Sequence, residues 1–261
     1  MRKQISVSIT RISHSLGWPI VIDRRALALA LSALFAVQVG QLARAADGVL
    51  SSATTATEAG LVDISELVPD ITLDMRYAGS DNFVGRPIDG YRAARCLLKS
   101  PVAHALADVE RELRKHSLRL KIFDCYRPAR GVRHFVRWAN DAGDQETKSR
   151  YYPNLDKSEL LGDYIAPVSG HSRGATIDLT LQQCDHPATA CRTLDMGTDF
   201  DFFDSRAHTD STQVSAAQRS NRHRLREAML AAGFRNYPME WWHYRFEPEP
   251  SAEIFYDVPI E

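Results

Sequence analysis

The stretch SGHSRGATIDLTL, residues 169–181, sets a histidine seven residues before an aspartate, with Gly174 and Ala175 between them. His171 and Asp178 are both good zinc ligands. A catalytic zinc takes three protein groups and keeps one position open for water. On one straight strand an offset of seven would turn the two side chains to opposite faces. The chain must bend between them, and Gly170 and Gly174 permit it because glycine tolerates positive φ. The expectation is His171 on a loop and Asp178 inside the strand that follows. A third ligand has to come from elsewhere. PMEWWHY, 238–244, offers His243 with Glu240 three residues before it. One of the two can bind metal while the other acts as a base, since water on zinc ionises near pH 7 and a nearby carboxylate can take its proton. An offset of three again argues against a straight strand, so a helical turn or bulge is expected at 238–242.

Attack on a carbonyl creates an oxyanion that needs a positive partner. DCYRPAR, 124–130, places Arg127 at the end of an expected strand, a common place for a site, with Asp124 three residues earlier to hold the guanidinium. Each residue alone has a bland reading. The chain has nine histidines, and a single one is usually a surface group or a satisfied core residue. Together the residues make a ligand pair, a ligand with a base, and an electrophile.

These residues need elements to position them. SPVAHALADVERELRKHS reads as a helix with Ser100 as its cap, Pro101 in its first turn, and Val102, Leu106, Val109 and Leu113 on one face. LRLKIFD, 118–124, alternates as a strand. YRPARGVRHFVRWANDAG turns and then becomes a helix with Val132, Phe135 and Val136 inward. Residues 143–168 read as connections around a short helix, ATIDLTL as a strand, and 182–215 as loop-rich. SAAQRSNRHRLREAMLAAGF is a helix carrying Leu225, Met229 and Leu230 and ended by Gly233. The aromatic stretches FRNYPMEWWHYRFEP and AEIFYDVP are strand-like. The fold class is α+β, a mainly antiparallel sheet with helices packed on one side.

The first 45 residues differ in kind. Basic residues precede an apolar run from Ala26 to Val39, and Ala43-Arg44-Ala45 follows. That order reads as a secretory signal peptide cleaved after Ala45. A retained membrane tether or a cytoplasmic location is the alternative. Arg24-Arg25 hints at twin-arginine export, although its flanks match poorly. Residues 46–60 read as a flexible leader, and 61–261 as one domain. Removing residues 1–45 takes away six of 32 basic and one of 33 acidic side chains, leaving a net charge of −6. An acidic chain without a basic cluster is a poor nucleic-acid binder. An exported protein meets oxidising conditions. Cys184 can then pair with Cys191, and Cys96 with Cys125. Four cysteines allow three pairings, and a zinc knuckle of Cys184, His186 and Cys191 is the rival.

SGHSRGATIDL fits the pattern S-x-H-x-x-G-x-A-x-D, and EWWH fits E-x-x-H. Both are similar to the signature motifs of the zinc D-alanyl-D-alanine dipeptidases and carboxypeptidases. DMRYAGSDNFVGRPIDGY, DCYRP and DMGTDFDFF resemble the dipeptidase branch, the VanX type. The resemblance runs from about Leu61 to Phe255. It implies a single zinc-peptidase domain holding one Zn²⁺ on His171, Asp178 and His243. It further implies Glu240 as general base, Arg127 as oxyanion partner and Asp124 as support for Arg127. Tyr77 and Ser169 match substrate-contacting positions, and Asp201 is placed near the substrate ammonium. The implied reaction is hydrolysis of a small D,D-dipeptide, D-alanyl-D-alanine, in cell-wall peptide turnover or recycling, by a periplasmic or secreted enzyme with no stable membrane anchor after signal removal. The alternatives are a D,D-carboxypeptidase or murein endopeptidase of the same fold, and a non-catalytic wall-binding module.

Overall fold

The computed structural model describes residues 48–185 and 190–261. The expected signal peptide and its cleavage after Ala45 lie outside the described residues. Ten strands run β1 (Val49–Leu50), β2 (Leu61–Asp63), β3 (Thr72–Leu73), β4 (Leu97–Lys99), β5 (Leu118–Asp124), β6 (Thr176–Cys184), β7 (Cys191–Thr193), β8 (Phe234–Asn236), β9 (His243–Phe246) and β10 (Ile254–Phe255). Four helices interrupt them: α1 (Ser100–Arg114), α2 (Ala129–Asn140), α3 (Lys148–Tyr151) and α4 (Ala216–Ala231).

The main sheet has the order β3-β5-β6-β9-β8, and β7 also pairs with β6. Only the β3–β5 pair in this sheet is parallel. Two small pairs flank it, β2 with β4 and β1 with β10. The architecture is the expected α+β one, with a mainly antiparallel sheet. The packed unit begins earlier than the expected leader boundary. Val49 and Leu50 pair with Ile254 and Phe255, and Ala59 is buried.

Helix α1 buries Val102, Leu106, Val109 and Leu113, the stripe its spacing predicts. Its cap differs from expectation. Ser100 already lies in the first turn, and Lys99 holds the cap position without a side-chain hydrogen bond. Pro101 supplies no amide donor to that first turn, so one fewer group there needs a partner. Helix α4 is capped reciprocally by Ser215 and Gln218, a capping box. Leu225 and Met229 are buried, but Leu230 is 49% exposed, one position round from the stripe. In α2, Val132 and Phe135 are buried with Trp138, while Val136 is half-buried.

Strand β6 is the centre of the sheet. Its odd-numbered residues Ile177, Leu179 and Leu181 point to one face. Its even-numbered residues Thr176, Asp178, Thr180 and Gln182 point to the other, and these polar groups are buried too. A polar face that is covered carries more than solvation, and this face builds the site.

Two disulfides tie the fold, Cys96–Cys125 and Cys184–Cys191. The second removes the zinc-knuckle reading, because a thiol consumed in a disulfide cannot ligate as a thiolate. His186 of that reading lies outside the described residues.

The bend between His171 and Asp178 is a 3₁₀ turn, Gly170–Arg173, ended by Gly174 at φ 73°. Of the two glycines expected to bend the chain, Gly174 alone has positive φ. Gly170 is needed for closeness instead, since a Cβ there would lie 2.6 Å from Thr176 Oγ1. A Cβ on Gly174 would lie 2.6 Å from Leu61 Cδ2. Gly174→Ala is therefore expected to cost roughly 1–3 kcal/mol from left-handed strain and overpacking. The shift in the urea unfolding midpoint at constant slope checks it.

Candidate active site

The site starts from strand register. Asp178 on β6 pairs directly with Asp124 on β5 on one side and with His243 on β9 on the other. Directly opposed residues project to the same face with Cβ atoms roughly 5 Å apart. A bulge in β5 makes this possible. Ile122 opposes Leu179, but the next pair is Asp124 with Asp178, so Phe123 is the extra residue. Without that insertion Phe123 would face Asp178. Phe123 is instead taken up by a stack on Phe200, with ring centroids 4.7 Å apart.

His171 reaches the row from the 3₁₀ turn. Its Nδ1 lies 2.6 Å from the Cys125 carbonyl oxygen, which fixes Nδ1 as the proton donor. Nε2 is then the free nitrogen, 3.3 Å from Asp178 Oδ2 and 3.4 Å from His243 Nδ1. His243 Nδ1 is 3.0 Å from Asp178 Oδ1. Yet Asp178 Oδ1 is buried and makes no hydrogen bond, so the two atoms are close but misaligned. One ligand atom each from His171, Asp178 and His243 falls within 4.8 Å of the others. A carboxylate with an orphaned oxygen, its two oxygens each beside an imidazole nitrogen, suits a cation better than a proton. Two nitrogens and a carboxylate oxygen form a zinc donor set, and the residues fit that ion.

Glu240 sits on the turn between β8 and β9, with Oε2 3.5 Å from His243 Nδ1. Burial raises its carboxyl well above the ordinary range, repulsion from Asp178 adds to this, and Arg127 opposes both. Asn236 holds this turn by donating from Nδ2 to the carbonyls of Glu240 and His243. Arg127 stands three residues beyond β5. Its Nε and a terminal nitrogen donate to Asp124 Oδ2 at 3.0 and 2.8 Å. Its guanidinium lies over Phe135 and Tyr77, 4.8 and 5.0 Å from the ring centroids. Asp124 is fully buried, and burial raises its carboxyl although Arg127 and His171 pull it down.

Asp201 and Tyr77 also line the cleft. The Tyr77 hydroxyl bridges both Asp201 oxygens at 3.1 and 2.9 Å. Asp201 has φ 59°, a left-handed backbone that aspartate tolerates better than most residues. Its carboxyl is raised, first by burial and then by Asp178. Ser169 caps the 3₁₀ turn, its Oγ accepting from the His171 amide at 3.3 Å, and it also lines the cleft. Phe83, Phe203 and Trp242 wall the cleft. The structure thus brings all nine residues singled out for chemistry around one cleft, Asp124 behind Arg127 and the rest at its surface.

Sequence reasoning missed Tyr91. Its hydroxyl donates to Asp124 Oδ1 at 2.6 Å, so Asp124 is held from both sides. Tyr91 lies within DMRYAGSDNFVGRPIDGY, but a tyrosine between a turn glycine and an arginine carries no local signal of a partner 33 residues away. The Cys125 carbonyl was also invisible, since a backbone acceptor has no residue type.

The D-Ala-D-Ala dipeptidase family, Peptidase M15, matches residues 57–261. A D-alanyl-D-alanine dipeptidase of Streptomyces coelicolor is 40% identical over 198 residues, covering 76% of this chain and 96% of that protein. One of Enterococcus faecium is 37% identical, covering 78% of this chain and 100% of its own length. One of Escherichia coli is 32% identical, covering 76% and 90%.

Two substitutions test the geometry. Asp178→Asn is expected to drop bound metal well below one ion per chain, read by elemental analysis of the purified protein. Tyr91→Phe is expected to leave Asp124 Oδ1 without its donor and to cost about 1–3 kcal/mol in denaturant unfolding, with metal retained.

Proposed function

The chain belongs to the D-Ala-D-Ala dipeptidase family, and from that membership we propose how its cleft works and where the protein does its work. It is a zinc metallopeptidase that hydrolyses D-alanyl-D-alanine to two D-alanines, in cell-wall peptide turnover or recycling. One observation carries the reading: Arg127 and Glu240 open onto the same cleft as the His171, Asp178 and His243 donors.

His171, Asp178 and His243 would hold the zinc ion. When bound, the ion supplies Lewis acidity, polarising the scissile carbonyl and making water acidic near neutral pH. Glu240 takes the proton of the attacking water. It later gives that proton to the leaving amine. Arg127 faces the developing oxyanion as a preorganised cation, since Asp124 already fixes its guanidinium plane. Asp201 pairs with the substrate ammonium, and Tyr77, bonded to Asp201, contacts the substrate beside it. Ser169 also lines the cleft, where it contacts the substrate.

The protein acts outside the cytoplasm, in the periplasm or as a secreted enzyme. The basic start, apolar run and Ala-Arg-Ala site of residues 1–45 support export. So do two disulfides and the absence of any free cysteine. Among the described residues no helix is long and apolar enough to cross a membrane.

The reaction is tested by release of free D-alanine from D-alanyl-D-alanine by the zinc-loaded protein, which a chelator should abolish. No release with zinc still bound would move the substrate to longer wall peptides. Glu240→Gln is expected to keep one zinc per chain and to lower turnover by about 10²–10⁴-fold, the range for loss of a general base. Near-normal turnover in that variant would remove Glu240 as the base. Location is tested by cell fractionation with amino-terminal sequencing, where a mature chain starting at Ala46 is the expected result.

A further inference from the structure

The ladder between β5 and β6 ends at Asp124, and Cys125 stands one residue outside it. Yet the Cys125 carbonyl is the acceptor that orients His171, at 2.6 Å from Nδ1. The two peptides that follow are held by single hydrogen bonds. The Tyr126 amide donates to the Leu97 carbonyl at 2.9 Å, and the Arg127 amide donates to the His171 carbonyl at 3.3 Å. This short crossing therefore carries both the orienting carbonyl and the cation of the site.

Its neighbour is β4. Cys96, the residue before β4, is bonded through sulfur to Cys125, and both side chains are fully buried. At the other end of β4, the Lys99 amide donates to the Gly174 carbonyl at 2.8 Å. Gly174 ends the turn that carries His171. So β4 grips both sides of one hydrogen bond, the acceptor through Cys96 and Leu97 and the donor's turn through Lys99. The other disulfide joins the distal ends of β6 and β7, six residues along β6 from Asp178, and Cys191 is exposed.

We propose that the Cys96–Cys125 disulfide is a positioning crosslink for the zinc site, holding the Cys125 carbonyl under His171 and Arg127 over the cleft. This rests on the zinc reading above. Loss of the bridge leaves the carbonyl held only through the Tyr126 and Arg127 amide bonds that follow it, so the direction of His171 is less tightly fixed. Partners behind a metal-bound histidine are worth about 10–100-fold in metal affinity or activity. Closing the bridge by exchange with a disulfide oxidant takes two electrons and two protons from the thiols and leaves the oxidant as two thiols. The zinc site then reaches full affinity only in a compartment that supplies such an oxidant.

The test compares the zinc-loaded full chain with Cys96→Ala/Cys125→Ala and Cys184→Ala/Cys191→Ala. Zinc dissociation into a chelating dye and the visible spectrum of the cobalt-substituted protein are recorded beside thermal melting. The expected result is zinc release about 10–100-fold faster, with altered cobalt bands, for Cys96→Ala/Cys125→Ala only. A folded variant with wild-type zinc release and cobalt spectrum overturns the proposal, even if it melts lower. Should that variant not fold, Cys184→Ala/Cys191→Ala keeps a single bridge and is reduced by a phosphine. Phosphine and water become phosphine oxide as the bridge becomes two thiols. Zinc loss that follows thiol appearance before any change in tryptophan fluorescence supports the crosslink; zinc loss only on unfolding overturns it. Wild type that holds no zinc at all sinks the metal reading and the crosslink with it, whereas zinc held equally by wild type and variant sinks the crosslink alone.

Discussion

The site depends on one register. Asp124, Asp178 and His243 oppose one another across three neighbouring strands. A one-residue slip of β9 against β6 would turn His243 to the apolar face with Leu179 and Leu181. The bulge at Phe123 is part of the same constraint, because it alone brings Asp124 opposite Asp178. Hydrophobic burial of Ile177, Leu179, Leu181, Leu120 and Ile122 holds that register from the other face. The chemistry is thus paid for by packing on the side of the sheet where no chemistry occurs.

Charge is the second constraint. Asp124, Asp178, Asp201 and Glu240 are all buried in or behind one cleft, and among the described residues Arg127 is the only permanent cation lining it. Isolated buried carboxylates are costly unless paired or bound to metal. Each has its own remedy. Asp124 takes two donors from Arg127 and one from Tyr91. Asp201 takes the Tyr77 hydroxyl. Asp178 faces two imidazoles with one oxygen unbonded, which leaves it the natural seat for a divalent ion. Glu240 has no strong partner, and burial keeps its proton affinity high. The four carboxyls differ in environment rather than in type, and that difference is what lets the proposed ligand, base and support roles fall to different residues.

The sequence exposed the residue types and their offsets. His171, Asp178, Glu240 and His243 were legible because seven and three fit no single straight strand, so a bend had to sit beside each pair. Strand β5 was legible from its alternation, and α1 from its stripe. The bulge was not, although two adjacent buried apolar residues, Ile122 and Phe123, break the alternation just before Asp124. Tyr91 was missed because its partner is set by tertiary packing alone. The helix cap moved to Lys99 because the chain arrives straight from β4 with no intervening turn, leaving Ser100 already helical. The pairing of Val49 and Leu50 with β10, more than 200 residues away, is announced by no local pattern.

The distribution of rigidity follows from these placements. Asp178 lies inside the buried central strand β6 and His243 opens β9 beside it. Those two ligands inherit the stiffness of the ladder. The groups proposed to act lie just outside it, Arg127 three residues past β5 and Glu240 three residues before β9. Each is then pinned by a side chain dedicated to it, Asp124 for Arg127 and Asn236 for the Glu240 turn. A group on a connection can be aimed at the reacting carbonyl in a way that a strand residue cannot, because strand side chains point along fixed alternating normals. His171 is the exception, a ligand on a turn, and it has the largest set of restraints: the Cys125 carbonyl, the Gly174 turn, Ser169 and β4. The extra restraints sit where the sheet supplies none, as preorganisation of a metal site requires.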